Sequence, residues 1–241
     1  MAFSNNTMGK VLTMKKVPDF EKERIVLVII DMQYENAPDG YWAAANWEAT
    51  VANAKKVLEA CRKKGYPVVH VLVARDPSGV HCHPFDVRDE NGKPVYSVKG
   101  TRKGEIVDEL KPIPGEIVVE KQRFSAFYQT NLDLVLSGLK AEHLIMMGVF
   151  TDSCFLTSTY DAFTRGYTIS IVKDACTAGT VAAHKTSMLD MANWIYGCSI
   201  FKTDELVKAI NGEKYQAWFW EKPNSMPYEL HNVEELYDKL G

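Results

Sequence analysis

Short apolar runs alternate along this chain with longer stretches whose apolar residues recur at helical spacing. Ile25-Val-Leu-Val-Ile-Ile30 is continuously apolar, the pattern of a strand covered on both faces. Between Asn46 and Lys64, residues Val51, Ala54, Val57, Leu58 and Cys61 fall on one helical face, and Gly65 predicts the stop. The same reading predicts strands over 67–73, 116–120, 144–148, 167–172 and 199–201. It predicts helices over 130–139, 153–165 and 181–196. Strands alternating with helices imply βαβ units. The expected fold is therefore α/β, a doubly wound, mainly parallel six-stranded sheet with helices on both faces, in the order 3-2-1-4-5-6.

Two stretches break this rhythm. Residues 75–104 hold Pro77, Gly79, Pro84, Gly92, Pro94, Gly100 and Gly104 and read as a long excursion that could form a lid or pocket wall. Residues 211–241 hold Trp218, Phe219, Trp220 and Tyr228, too aromatic for a free tail. The expected layout is an N-terminal extension over 1–24, one domain over 25–205, and a C-terminal appendage over 206–241. That appendage would pack on the domain or on a neighbouring subunit.

Composition narrows the function classes. The 241 residues carry 28 basic and 31 acidic groups, net −3, too weak a field to hold a phosphate backbone, so nucleic acid is an unexpected partner. No apolar run approaches the roughly 18 residues of a membrane span. Residues 1–24 lack the apolar core and cleavage site of a secretory signal. The five cysteines are an odd, widely spaced set with no CxxC pair. Together these features point to a reducing, cytoplasmic setting.

Ligands of open parallel sheets bind beyond the carboxyl ends of the strands. Asp31 ends the first strand, Glu120-Lys121-Gln122-Arg123 ends the third, and Gly148-Val-Phe-Thr-Asp-Ser-Cys154 follows the fourth. Cys154 opens a helix, where the macrodipole and a nearby lysine are expected to lower the thiol pKa. Asp31 is placed to take the thiol proton, and backbone amides of the 150–154 turn to hold an oxyanion. That combination is an acyl-transfer site. Taken singly, the three residues could be an inert buried thiol, a turn-capping carboxylate and a solvated lysine; their convergence on one edge weighs against each alternative. Cys61, Cys82, Cys176 and Cys198 read as structural or incidental.

At these residues the chain resembles the isochorismatase-like cysteine hydrolases, which include nicotinamidase, N-carbamoylsarcosine amidase, biuret hydrolase and ureidoacrylate amidohydrolase. The matching stretches are Val28-Ile-Ile-Asp-Met-Gln33, Glu120-Lys-Gln-Arg-Phe-Ser-Ala-Phe127 and Gly148-Val-Phe-Thr-Asp-Ser-Cys154, followed by Thr159-Tyr-Asp-Ala162 and Gly166-Tyr167. They span roughly residues 24–200 in the family's chain order. The resemblance implies that Asp31 is the base and proton carrier, Lys121 its lysine partner and Cys154 the nucleophile. It further implies a cis peptide joining Val149 to Phe150, oxyanion-hole amides from Phe150 and Cys154, no required cofactor, and a homo-oligomer, dimer or tetramer.

Cys154 favours amide or ureido hydrolysis, because vinyl-ether hydrolysis needs no nucleophile. The place of the nicotinamidase Asp-x-His metal motif reads Asp76-Pro-Ser78, so a metal site of that type is not expected. His81-Cys82-His83 is an alternative metal candidate with only Asp76 and Asp86 nearby. Gln33, Tyr34, Arg75, Arg123 and Phe127 are the candidate substrate contacts, with Trp42 and Trp47 as possible walls. Either arginine could grip a substrate carboxylate or sit in an ion pair. The expected activity is hydrolysis of a linear C–N bond in a small amide or ureido compound. The alternatives are a metal-assisted nicotinamidase-like amidase, a vinyl-ether hydrolase, and a relative that binds a small molecule without turnover.

Overall fold

The computed structural model describes residues 18–21 and 24–241. The expected N-terminal extension, 1–24, therefore lies almost wholly outside the described residues.

β-Branched runs become the central strands. β1 (Ile25–Ile30) and β4 (His143–Val149) are buried at every position, as expected where helices cover both faces of a sheet. β2 (Val68–Val73) and β3 (Ile117–Lys121) lie on one side of β1, and β5 (Thr168–Thr177) and β6 (Ser199–Phe201) lie beyond β4. The order is β3-β2-β1-β4-β5-β6-β7. The first six strands are parallel throughout.

The sheet has seven strands rather than six. β7 (Trp218–Phe219) pairs antiparallel with β6, Ser199 opposite Phe219. Two residues carry no period, so nothing in the sequence pattern marked them. β5 also runs five residues past its expected end. Lys173-Asp174 interrupts its apolar run, yet both side chains find partners: Lys173 Nζ donates to Tyr237 O at 3.1 Å, and Asp174 Oδ1 accepts from Thr203 N at 2.8 Å.

α1 (Trp47–Lys64) follows β1, and Gly65 ends it in the left-handed region, as its position predicts. α2 (Leu132–Gly138), α3 (Cys154–Thr164) and α4 (Val181–Trp194) occupy the expected stretches. α5 (Thr203–Ile210) was not expected; it buries Leu206, Ala209 and Ile210 and packs on α1 and β5. Residue 205 lies within α5, so a division at 205/206 cuts a helix. α6 (Val233–Asp238) packs on α4. The C-terminal residues thus lie on their own chain.

The excursion over 75–104 is irregular; Arg75 bridges Val98 within it, and Ser97 N ties it to the body by donating to Glu35 Oε2 at 2.7 Å. It folds over the carboxyl edge of β1, β2 and β3, where it closes one side of the site.

Candidate functional site

Three parallel strands deliver three groups to one point. Asp31 follows β1, Lys121 is the last residue of β3, and Cys154 is the first residue of α3 after the β4 turn. Lys121 Nζ lies 2.8 Å from Asp31 Oδ2 and 3.2 Å from Cys154 Sγ, and it donates to Arg123 O at 3.0 Å. Asp31, Lys121 and Cys154 are 3%, 1% and 8% exposed, so the cluster is an ionic site inside the protein. Asp31 Oδ1 has no hydrogen-bond partner among the described residues.

Local backbone geometry aims these groups. Asp31 sits at φ +52°, the left-handed region that aspartate tolerates better than most side chains. Its amide donates to Val71 O at 2.8 Å, and its carbonyl accepts from Gln33 N and from Asn36 Nδ2. Gly148, at φ +125°, lets β4 pass close to β1: a Cβ there would stand 2.1 Å from Ile30 O. The following peptide, Val149–Phe150, is cis. In the turn, Thr151 N donates to Thr177 O, and the amides of Ser153 and Phe155 both donate to Phe150 O. The amides of Phe150 and Cys154 donate to none of these acceptors.

Burial lowers Lys121, but the charge of Asp31, and that of Cys154 when it ionises, outweigh it and raise the ammonium's pKa. Burial raises Asp31, and Lys121 pulls it part of the way back. Burial also pushes the Cys154 thiol up to about 12; Lys121 opposes this, and the charge of Asp31 reinforces it. The expectation of a lowered thiol pKa is therefore overturned. A sequence shows the helix start and the lysine but not the depth of burial or the carboxylate beside the sulfur. A raised thiol pKa favours the protonated sulfur, which stands beside the Asp31 carboxyl.

The cluster opens into a cavity of about 460 Å³. Trp42, Phe85, Val87, Tyr96, Phe124 and Phe150 give it a largely apolar wall. Phe85 and Phe124 are 89% and 63% exposed and stand at its mouth.

The five candidate contacts divide. Gln33 lines the cavity, but its amide is committed: Nε2 donates to Val73 O and Gly104 O, and Oε1 accepts from Val73 N. It braces strand ends rather than offering a hydrogen bond to a ligand. Tyr34 lies off the cavity; its hydroxyl accepts from Arg102 Nη2 at 2.6 Å and Asp108 N at 3.1 Å. Phe127 is buried away from the cavity, stacked on Tyr167 and under Arg165. Arg75 lines the cavity but is paired with Asp86 and donates to Tyr96 Oη at 2.7 Å. Arg123 lines it too, with Nη1 donating to the carbonyls of His81 and Gln122. Trp47 is core.

Asp86, Tyr96, Ser97, Phe85 and Phe124 are wall residues that sequence reasoning missed. The four on the excursion have no periodicity to assign them, its length and its prolines and glycines being the available signal, and Phe124 lies outside it, after β3. His81 and His83 join no cluster: among the described residues, no three His, Cys, Asp or Glu come together as metal ligands. Ser78 hydrogen-bonds Asp76 through both its amide and its hydroxyl. Among the described residues, no helix is long and apolar enough to cross a membrane.

Comparison with known proteins agrees with this fold. The model of the Isochorismatase domain family matches residues 26–205. A ureidoacrylate amidohydrolase (RutB) of Rhizobium rhizogenes is 32% identical over 168 residues, covering 62% of this chain and 68% of the relative. The crystal structure of N-carbamoylsarcosine amidase from Thermoplasma acidophilum superposes with a TM-score of 0.62 at 32% identity, covering 76% of this chain and 98% of the other. An isochorismatase family protein of Desulfovibrio vulgaris superposes with a TM-score of 0.73 at 28% identity, covering 78% and 99%.

Proposed function

Because the chain belongs to the Isochorismatase domain family, we propose that it is a cysteine-dependent amidohydrolase that cleaves a linear C–N bond in a small amide or ureido compound. The observation that carries this reading is the contact of Lys121 Nζ with both Asp31 and Cys154, at 2.8 and 3.2 Å, on the floor of a cavity. The similar proteins supply the bond type, since one acts on ureidoacrylate and another on N-carbamoylsarcosine.

The chemistry follows from the charges. Cys154 rests as a thiol, so attack requires a base, and the Asp31 carboxylate with its unpartnered oxygen is at hand. Asp31 takes the proton as Sγ bonds to the carbonyl carbon. The carbonyl oxygen gains negative charge and is held by the amides of Phe150 and Cys154. Asp31 then returns the proton to the leaving nitrogen as the C–N bond breaks. Ammonia or an amine departs, leaving a thioester, or a thiocarbamate from a ureido substrate. Water attacks that carbonyl with Asp31 again as base, and the thiol is restored. Lys121 stays charged throughout, offsetting whichever of Asp31 and Cys154 is anionic. No step calls on a cofactor.

In this reading residues 25–205 form the hydrolase unit and the C-terminal segment completes it. This reading keeps the homo-oligomer, a dimer or tetramer, that the family resemblance implies, and the cytoplasmic setting that an odd, widely spaced set of cysteines suits.

The test is ammonia release from a panel of primary amides and ureido compounds by wild type and Cys154→Ser in parallel. Release by wild type that the substitution abolishes is expected. Release that survives the substitution contradicts the nucleophile assignment.

A further inference from the structure

The turn carrying Phe150 and Cys154 is gripped from behind by a chain of buried hydrogen bonds. Thr151, fully buried between those two residues, has Oγ1 2.8 Å from His184 Nδ1 on α4. His184 Nε2 lies 2.9 Å from Tyr237 Oη on α6, and the two rings meet edge to face. Either tautomer of a neutral imidazole makes both hydrogen bonds, one as donor and one as acceptor. Burial, with the charges of Lys173 and Lys185, holds His184 neutral by lowering its pKa to about 4. Tyr237 is itself clamped. Its carbonyl accepts from Lys173 Nζ at 3.1 Å, its ring lies 4.4 Å from that ammonium, and Lys185 pairs with Glu234 one turn earlier. Tyr237 lies 32 residues beyond residue 205, where the family match ends.

We propose that Tyr237, acting through His184 and Thr151, is a positioning residue for the oxyanion-binding turn, so that the C-terminal helix is part of the catalytic apparatus. This rests on the amidohydrolase reading above. Two amides stabilise an oxyanion only if their N–H vectors are fixed before charge develops. The Thr151 backbone is held on one side by Thr177 O, and its side chain on the other by His184. Releasing the side chain frees the peptides on either side of it. The substrate body contacts other walls, so loss should fall on the chemical step rather than on binding.

The test compares Tyr237→Phe, which removes one hydroxyl, with Thr151→Val, Thr151→Ser and Glu235→Ala, using the amide that wild type hydrolyses fastest. Tyr237→Phe and Thr151→Val should lower kcat about tenfold and leave KM within about twofold, the loss expected for one buried hydrogen bond acting in the transition state. Thr151→Ser, which keeps the hydroxyl, should restore kcat. Glu235→Ala breaks the exposed pair with Lys239 on the same helix, outside the relay, and should leave kcat unchanged. Amide hydrogen exchange over 149–155 should quicken in Tyr237→Phe, a readout that needs no turnover. If wild type hydrolyses no compound in the panel, the hydrolase reading fails and exchange alone decides whether the relay holds the turn. A Tyr237→Phe enzyme with unchanged kcat and unchanged exchange overturns the proposal, whatever happens to its Tm.

Discussion

Two carboxylates stand at opposite ends of one parallel sheet and have opposite fates. Glu116 precedes β3 at the amino edge. Its Oε1 accepts from Arg62 Nε at 2.7 Å, and its Oε2 meets Arg62 Nη2 at 2.8 Å, His70 Nε2 at 2.9 Å and Ile113 N at 3.0 Å. Burial would raise Glu116, but these donors outweigh it and hold the group down at about 2. Asp31 follows β1 at the carboxyl edge, with one lysine on Oδ2 and nothing on Oδ1 among the described residues. Its pKa is raised. Filling every lone pair turns a buried carboxylate into structure. Leaving one unfilled beside a thiol suits the base of the proposed hydrolysis.

The comparison yields a double dissociation. The largest effect is expected for Asp31→Asn, which removes the base: kcat should fall by about a thousandfold or more while the protein stays folded. Parallel kinetics and circular dichroism check both halves. Gly148→Ala comes next, because a Cβ 2.1 Å from Ile30 O must push β4 off β1 directly above Asp31. Denaturant unfolding should show a loss of about 3 kcal/mol or more, with activity lost alongside. Glu116→Gln should do the reverse of Asp31→Asn, costing about 1–3 kcal/mol of stability while kcat stays near wild type. Loss of activity in Glu116→Gln with a normal Tm would break the comparison.

Acidity sharpens it further. The folded-state pKa of Glu116 is depressed, so its stabilisation is complete above its ordinary value of 4.5 and drains away as pH falls towards about 2. Glu116→Gln should flatten that part of the stability profile. Asp31 must be ionised to act as base and its pKa is raised. The acid limb of kcat/KM should therefore lie above 3.8, the ordinary aspartate value. A limb at or below 3.8 would assign the base elsewhere.

The carboxyl edge with Asp31, Lys121 and Cys154 was legible because its residues close apolar strands. A charge after six buried residues, as at Asp31, has one place to go. The three strand ends could be superposed through the doubly wound order alone. The wall was not legible. Asp86 is placed by a salt bridge to Arg75 across an irregular segment and Tyr96 by its hydroxyl's hydrogen bond to Asp86, and no period along the chain encodes those contacts. Arg75 was visible as a binding candidate, but not the carboxylate that occupies it. The Cys154 thiol was found, yet its pKa was expected to be lowered and is raised, because pKa depends on burial and on a neighbour 123 residues away in sequence. α6 and Tyr237 escaped for a related reason: six helical residues with no buried face of their own acquire a role only through His184.

The most direct test is rapid-quench mass spectrometry of wild-type enzyme turning over its best amide. The Cys154 peptide should carry the mass of the acyl or carbamoyl portion of the substrate, and Cys154→Ala should neither carry it nor turn over. Steady hydrolysis with that peptide unmodified, undiminished in Cys154→Ala, would contradict the account.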